Sequence, residues 1–338
     1  MTVQRLETSS DLAPHADERA ESRVAVIVVT WNSAAVLEGL LRSLPEGLAG
    51  VPWILTVVDN ASSDETVALA EKWLRENEGS VEGAVISTGR NAGYAAAINA
   101  ALSRSGLVGE PAAGPRCTAA LVLNPDVRLE PGCVPGMLEP LDDPSSPRAG
   151  IVVPRIQDPD GALSYSLRRE PSVGRALGEA VLGRRAGRVP WLGEVVLDEG
   201  EYQAPTTADW ATGAIMLLSA QCLAACGPWD ESFFLYSEET EFALRARDRG
   251  FATRFAPKAV ATHIGGESKT SAQLWTLLVL NRVKLYRRRH SAPASAAYWG
   301  ATVLRELPRA ALGARRSRSA IAALCRPSRL RQPDLGMH

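Results

Sequence analysis

From Arg23 onward, short continuous runs of apolar and mostly β-branched residues alternate with stretches whose apolar residues recur at helical spacing. "RVAVIVV" precedes "TWNSAAVLEGLLRSL", where Val36, Leu37, Leu40, Leu41 and Leu44 fall on one helical face. "ILTVVD" leads through a polar loop into a helix from about Asp64, and "GAVIS" leads into "GRNAGYAAAINAAL". A fourth run, "AALVLNPDVRLEPG", breaks off at Asn124, Pro125 and Asp126. Strands that are apolar throughout are buried on both faces, and the helices between them serve as crossovers. The pattern therefore predicts an α/β domain with a mostly parallel central sheet.

Ligands of such sheets gather beyond the carboxyl ends of the strands. Here those ends read Thr30, Trp31, Asn32, then Asp59, Asn60, then Arg90, Asn91, then Asn124 and Asp126. Turns and helix caps explain an Asp or Asn at any one of these places. Four polar ends in succession, with a carboxylate after both Val58 and Pro125, predict a shared polar crevice.

Regularity is weaker in the middle of the chain. "LDDPSSPRAG" reads as a loop, "QDPDGALS" holds a turn, and the Gly-, Arg- and Pro-rich stretch to about Pro205 reads as a mobile excursion over the crevice. Order returns with a short strand, a helix, a turn and a helix that starts with Glu238, Glu239 and Glu241. "FATRFAPKAVATHIGGES" gives a last strand and His263. Acidic residues in a first turn complement the helix dipole. Three carboxylates in four positions after "FFLY" exceed what a cap requires, and burial with mutual repulsion would raise a carboxyl into the range of a general base.

The 338 residues, 46% hydrophobic, suffice for a substantial core. Residues 1–22 lack an apolar leader region and read as a disordered arm, and later apolar runs fall short of a membrane span. Five cysteines without a CxxC pair suit a reducing, cytoplasmic compartment. The net charge of −1 conceals an asymmetry: from Arg282 to the end, 13 Lys and Arg face only Glu306 and Asp334, a balance of +11 that leaves −12 on the rest. A basic tail seeks phosphate-rich surfaces. Nucleic acid is not expected as partner, since interleaved aromatics and recognised modules are missing. Interleaved apolar and basic residues in "LWTLLVLNRVKLYRRRH" and "AAYWGATVLRELPRAALGARRSRSAIAAL" predict helices that lie on an anionic membrane; the alternative is a basic helix packed on the α/β domain. On the membrane reading, truncation after about Ser291 releases the chain from anionic membranes and leaves any activity toward a soluble substrate largely intact.

Neither a Gly-x-Gly-x-x-Gly nor a Gly-Lys-Ser/Thr motif follows the first strand. A diphosphate held in this crevice needs another positive charge. Asp126 suggests Mg2+ or Mn2+, hard cations that take one or two carboxylates and fill their shells with water and substrate phosphates, and His263 is a second candidate ligand.

Eight segments in order, "VIVVTWNS", "VVDNASSDET", "GRNAGYAAAIN", "LVLNPDV", "DPDGALSYSLRREPS", "WATGAIMLLS", "GPWDESFFLYSEETEFALRARDRGF" and "HIGGES", resemble the family-2 glycosyltransferases of GT-A fold, and among them bacterial rhamnosyltransferase-like enzymes of cell-wall and polysaccharide assembly. The resemblance implies a GT-A domain over 23–268, with a nucleotide-binding half over 23–150, an acceptor and catalytic half over 151–268, and a basic helical extension over 269–338. It implies a nucleotide-sugar donor along Thr30, Asn32, Asp59, Asn91, Gly93, Asn124 and Asp126, with Trp210, Thr212, Gly213 and Glu241 toward sugar and acceptor. Asp126 matches the second acidic position of the family's metal motif, and Asn124 replaces the first. The family's Glu-Asp pair falls on Glu238 and Glu239, so Glu239 stands where an Asp is usual as catalytic base. The implied activity is inverting transfer, with dTDP-L-rhamnose favoured and a UDP-sugar open, onto a saccharide or lipid-linked acceptor at the inner face of the cell membrane. A catalytically silent sugar-nucleotide-binding protein on the same fold is the alternative, and a homo-oligomer is an open expectation.

Overall fold

The computed structural model describes residues 23–109, 117–143, 147–265, 271–326 and 328–329; the arm read over 1–22 lies outside the described residues. The first half runs β1 (Arg23–Thr30), α1 (Ala34–Leu48), β2 (Trp53–Asp59), α2 (Thr66–Glu76), β3 (Glu82–Ser87), α3 (Tyr94–Arg104), β4 (Cys117–Leu123), β5 (Val127–Leu129) and α4 (Cys133–Asp142). There follow β6 (Arg148–Gln157), β7 (Leu167–Arg168), α5 (Val173–Leu182), two 3-10 turns (Gly183–Arg188 and Glu199–Tyr202), β8 (Thr206–Ala208), β9 (Trp210–Ala211), β10 (Ile215–Ser219), α6 (Ala220–Cys226), α7 (Glu238–Asp248) and β11 (Phe251–His263). The chain closes with α8 (Ala272–Arg289), α9 (Ala292–Ala311) and α10 (Arg315–Leu324).

The nine-stranded sheet has the order β3-β2-β1-β4-β10-β6-β11-β5, with β8 on β11. β3, β2, β1 and β4 are parallel, as continuous apolar runs separated by helices require. β10 enters antiparallel to both β4 and β6, while β11 runs parallel to β6 and antiparallel to β5. One face of the sheet packs on α3, α6 and α7; the other packs on α1 and α4 through Leu37, Leu40, Leu41 and Leu44, the stripe visible in the sequence. Four cysteines are buried in these layers and Cys325 is exposed.

Two expectations fail. Residues 148–157, read as irregular, form β6, a central strand whose core-facing residues are buried on both sides. The stretch to Pro205 is no excursion over the crevice: it contains α5 and two turns, and α5 packs into a third core with α8, α9 and α10. Its abundance of Gly and Arg misled because those residues serve packing. Gly178 lies so close to Leu192 that a Cβ there would strike its carbonyl oxygen.

The basic extension is likewise part of the body. α8 buries Leu277, Val279, Leu280, Val283, Leu285 and Tyr286, so its apolar side meets protein and is not available to a headgroup layer. Much of the +11 balance is internal. Arg282 contacts Glu194 and Glu179, Arg305 pairs with Glu179 at 3.0 Å and Glu306 at 3.2 Å, Arg288 contacts Asp230, and Arg289 lies 2.8 Å from Asp248. A cut after Ser291 would remove α9 and α10 from this core, at roughly 1.5–3 kcal/mol for each large apolar side chain re-exposed. Retention of activity after that truncation is therefore no longer expected. Among the described residues no helix is long and apolar enough to cross a membrane.

Candidate active site

β1 and β2 end in register, Thr30 opposite Asp59. Thr30 Oγ1 donates to Asp59 Oδ1 at 2.9 Å, Ser62 Oγ donates to the same oxygen at 2.5 Å, and the Ser62 N–H donates to Asp59 Oδ2 at 2.8 Å. The Asn32 N–H donates to Ser62 Oγ at 2.8 Å, and its Oδ1 accepts from the Ser63 N–H at 2.8 Å. Thr30 and Asp59 are 1% exposed and sit beneath this loop, whereas Asn32 stands exposed at its lip beside Trp31. Asn32 (φ 49) and Ala61 (φ 60) hold left-handed backbone without being glycine, at a cost of about 1–3 kcal/mol each. Such strain persists where surroundings over-determine it.

The third strand end leads to Gly93, whose N–H donates to Asn91 Oδ1 at 3.3 Å and whose carbonyl accepts from Asn60 Nδ2 at 3.2 Å. Its φ is 91, and a Cβ would collide with the carbonyl oxygen of Phe234. Next to it, the Tyr94 N–H donates to that same carbonyl at 2.9 Å, and the Tyr94 hydroxyl donates to the Gly213 carbonyl at 3.1 Å. The start of α3 therefore ties the donor loops to residues 230–237.

Beyond β4, the Asn124 N–H donates to Ala214 and its carbonyl accepts from the Val127 N–H, shaping the turn that presents Asp126. The antiparallel register pairs Val127 with His263, which brings the residue before Val127 alongside the imidazole. His263 Nε2 is 3.2 Å from Asp126 Oδ1, yet that buried oxygen has no aligned hydrogen-bond donor. Burial pushes the Asp126 carboxyl up, but His263 and the Gly265 N–H outweigh it and hold the group below the usual carboxylate range. An ionised carboxylate with a vacant lone pair beside an imidazole suits Mg2+ or Mn2+. Among the described residues no group of three or more His, Cys, Asp or Glu could enclose a cation alone, so substrate phosphates would complete the shell.

Opposite, Tyr236 (φ 67) and Ser237 (φ 73) turn the chain sharply into α7. Glu238 is 3% exposed, and Oε2 of both Glu238 and Glu239 is buried without a partner. Burial, then the charge of Glu239, pushes Glu238 well above the usual range. Burial also raises Glu239, but backbone donors, Glu238 and the charge of Arg168 oppose the rise. Glu238 thus keeps the proton of the pair and Glu239 ionises first. Burial, Glu238, Glu239 and Asp126 together push the Tyr94 hydroxyl up, so three carboxyls converge on this one ring.

Of the residues read toward sugar and acceptor, Gly213 lies under Glu239: a Cβ at 213 would stand 3.4 Å from the Glu239 Cβ. Trp210 Nε1 donates to the Arg169 carbonyl at 3.0 Å with the Arg168 guanidinium 5.8 Å above its ring, and the Thr212 N–H donates to Ser166. Glu241 differs: its carboxylate is held by Arg245 at 2.8 Å. Three participants escaped the sequence reading. Tyr94 follows a recognisable motif, and Asn281 is a polar interruption of the apolar run in α8; both left a signal. Arg168 lies within the recognisable segment "SYSLRREPS", but nothing local marks it as a charge acting on Glu239.

Residues 25–187 match the model of glycosyl transferase family 2. An N-acetylglucosaminyl-diphospho-decaprenol L-rhamnosyltransferase of Mycobacterium tuberculosis is 29% identical over 239 residues, 70% of this chain and 75% of that protein. A low-salt glycan biosynthesis hexosyltransferase of Haloferax volcanii is 28% identical over 226 residues, 66% of this chain and 61% of that protein. Among solved structures, a mannosyltransferase from Pyrobaculum calidifontis in complex with GDP-Man and Mn2+ superposes with a TM-score of 0.55 at 18% identity, covering 97% of this chain and 87% of that one. The family-2 match spans the strand ends of the first half described above, the fold is that of the GT-A glycosyltransferases, and the chain is similar in sequence to a rhamnosyltransferase.

Proposed function

We propose that the enzyme transfers L-rhamnose from dTDP-L-rhamnose, with inversion, to a saccharide carried on a lipid diphosphate at the cytoplasmic face of the membrane. The observation that carries this reading is the shared Gly213–Ala214 backbone, which accepts from the Tyr94 hydroxyl and the Asn124 N–H, lies against Glu239, and so links the Glu238–Glu239 pair to the turn that presents Asp126 beside His263. The rhamnosyltransferase relative, named for a diphospho-decaprenol substrate, supports the sugar and the acceptor class.

Glu239 takes the proton of the acceptor hydroxyl as that oxygen forms its bond to the anomeric carbon. The bond from the anomeric carbon to the diphosphate oxygen breaks on the opposite side, and configuration inverts. Glu238, protonated, donates to Glu239 and keeps it oriented. Asn32 and the loop that Asp59 holds meet the nucleotide, and Gly93 admits close backbone approach. Asp126 and His263 would hold the divalent cation, which supplies charge neutralisation for the diphosphate when bound.

The test is a panel of sugar nucleotides with Mg2+ or Mn2+ or with EDTA, reading nucleoside diphosphate release and transfer to a lipid-linked acceptor. Turnover is expected with dTDP-rhamnose and to fall at least tenfold in EDTA and in Asp126→Ala and His263→Ala. Preference for a UDP-sugar would overturn the donor, and full activity in EDTA would overturn the cation.

A further inference from the structure

Nine large apolar side chains stand exposed among the described residues, and seven of them lie on or beside α5 and α9. Leu177, Val181 (77% exposed) and Leu182 line the outer side of α5, with Trp191 (69%) in the loop that packs along it. On α9 and its end stand Leu304, Leu307 and Leu312. The helices adjoin, joined by Glu179 and Arg305 at 3.0 Å and by a shared core, so these exposed side chains belong to neighbouring elements. That clustering is unlike the scattered apolar residues of an ordinary soluble surface.

The charges along these two stretches are mostly basic, although Arg184 lies over Tyr165, whose hydroxyl donates to Glu199, and Arg309 is paired with Glu306 at 3.3 Å. Arg184, Arg185 and Arg188 follow directly on α5, and Arg309, Arg315 and Arg316 surround the end of α9. Residues 177–191 contain one acid, Glu179, engaged by Arg305 and Arg282; residues 304–318 contain one, Glu306, which is 0% exposed. Thus no exposed carboxylate offsets the arginines in either stretch. Trp and Leu flanked by Arg is the composition that partitions into an anionic headgroup layer.

We propose that the outer face of α5 and α9 docks this enzyme on an anionic lipid bilayer. The inference rests on the lipid-linked acceptor of the preceding section for its purpose, although the surface chemistry stands without it. It replaces α8, whose apolar side is internal, with a face that has remained open. The placement also serves catalysis: α5 begins five residues after Arg168, the counter-charge of Glu239, so the docked element and the acceptor side of the crevice are continuous in the chain.

The test is co-sedimentation of the full-length protein with vesicles of phosphatidylcholine alone or with 30% phosphatidylglycerol on the order of typical anionic content. Wild type is expected on the anionic vesicles only. Val181→Asp with Leu307→Asp, both at exposed positions, should weaken binding at least tenfold, and Arg185→Gln, Arg188→Gln and Arg315→Gln about fivefold each. Thermal melting near that of wild type, and unchanged turnover on a short soluble acceptor, would certify the fold of the variants. Equal vesicle binding by variants and wild type overturns the proposal. So does conversion of a wild-type dimer to a monomer by the aspartates, which would assign the face to a second copy of the chain. If wild type docks through this face but does not transfer to a lipid-linked acceptor, the docking surface stands and the acceptor assignment falls.

Discussion

At the end of β2, Asp59 receives three donors from Thr30 and Ser62 and is fully engaged within its own loop, whereas at the start of α7 Glu238 and Glu239 each bury an oxygen without a partner. Asp126 Oδ1 belongs with the second kind. The contrast separates two tasks. Groups that shape a binding loop can be satisfied in advance, because their geometry is wanted before the ligand arrives. Groups that exchange protons or meet a cation retain free lone pairs, at a cost of about 1–3 kcal/mol for each buried polar group left unsatisfied. The nucleotide loop around Asp59 is thus satisfied in advance, while Asp126 and the Glu238–Glu239 pair retain buried oxygens without a partner.

The largest effect that could break this contrast is at Glu239. Glu239→Gln retains size and the helix start but removes the proton acceptor, so kcat should fall about 10²-fold or more with donor affinity near wild type. Calorimetric titration with the nucleotide and single-turnover rates separate the two quantities. A variant that loses donor binding instead would place Glu239 among the scaffold groups. The same group sets the acid limb of the wild-type pH profile. Burial raises it, with Glu238, Arg168 and Tyr94 facing it, so activity should decline on acidification above the ordinary carboxylate range.

An intermediate effect is expected at Asn281, which is 0% exposed in α8. Its Nδ2 donates to the carbonyls of Leu235 at 2.9 Å and Tyr236 at 3.1 Å. Those carbonyls belong to the left-handed turn that delivers Glu238 and Glu239, and Lys284 reaches the Ser232 carbonyl one turn further along α8. Asn281 is therefore a positioning residue. Asn281→Ala should lower kcat roughly tenfold, equivalent to losing about 1.4 kcal/mol, while the donor KM changes little. A KM effect of equal size would mean that α8 supports both sides alike.

How much of this was legible follows the same division. The parallel strands, their helices and the polar strand ends were readable because periodicity is local, and Thr30, Asn32, Asp59, Asn91 and Asp126 fell at the ends it predicts. The cation site and the acceptor side are assembled by distant pairing. β6 is sandwiched between β10 and β11, His263 reaches Asp126 only through the register of β5 with β11, and Asn281 acts across 45 residues. The basic extension misled for an electrostatic reason: Arg282, Arg288, Arg289 and Arg305 meet Glu170, Glu179, Glu194 and Asp230 of the preceding body, so part of its charge is neutralised across an interface. Summed charge along a chain carries no record of which charges meet.

The smallest effect, and the sharpest on the cost of the acceptor side, is on stability at Glu238. Burial, then Glu239, raises its carboxyl well above the usual range in the folded protein, so between the unfolded and folded pKa the folded state binds more protons than the unfolded one. Stability must then fall as pH rises through that interval, by at most about 1.4 kcal/mol per pH unit for one group. The contribution is fully present below the unfolded value near ~4.3 and is gone above the folded one. Glu238→Gln keeps a donor toward Glu239 without a proton to lose, which should flatten this slope and make the variant at least as stable as wild type at pH 8. Denaturant midpoints for both proteins at pH 5 and pH 8 supply the comparison, since the difference between them cancels the other titrating groups. An identical pH slope in the two proteins would mean that Glu238 ionises in the fold as freely as in water, and the proton would have to be assigned to Glu239 instead.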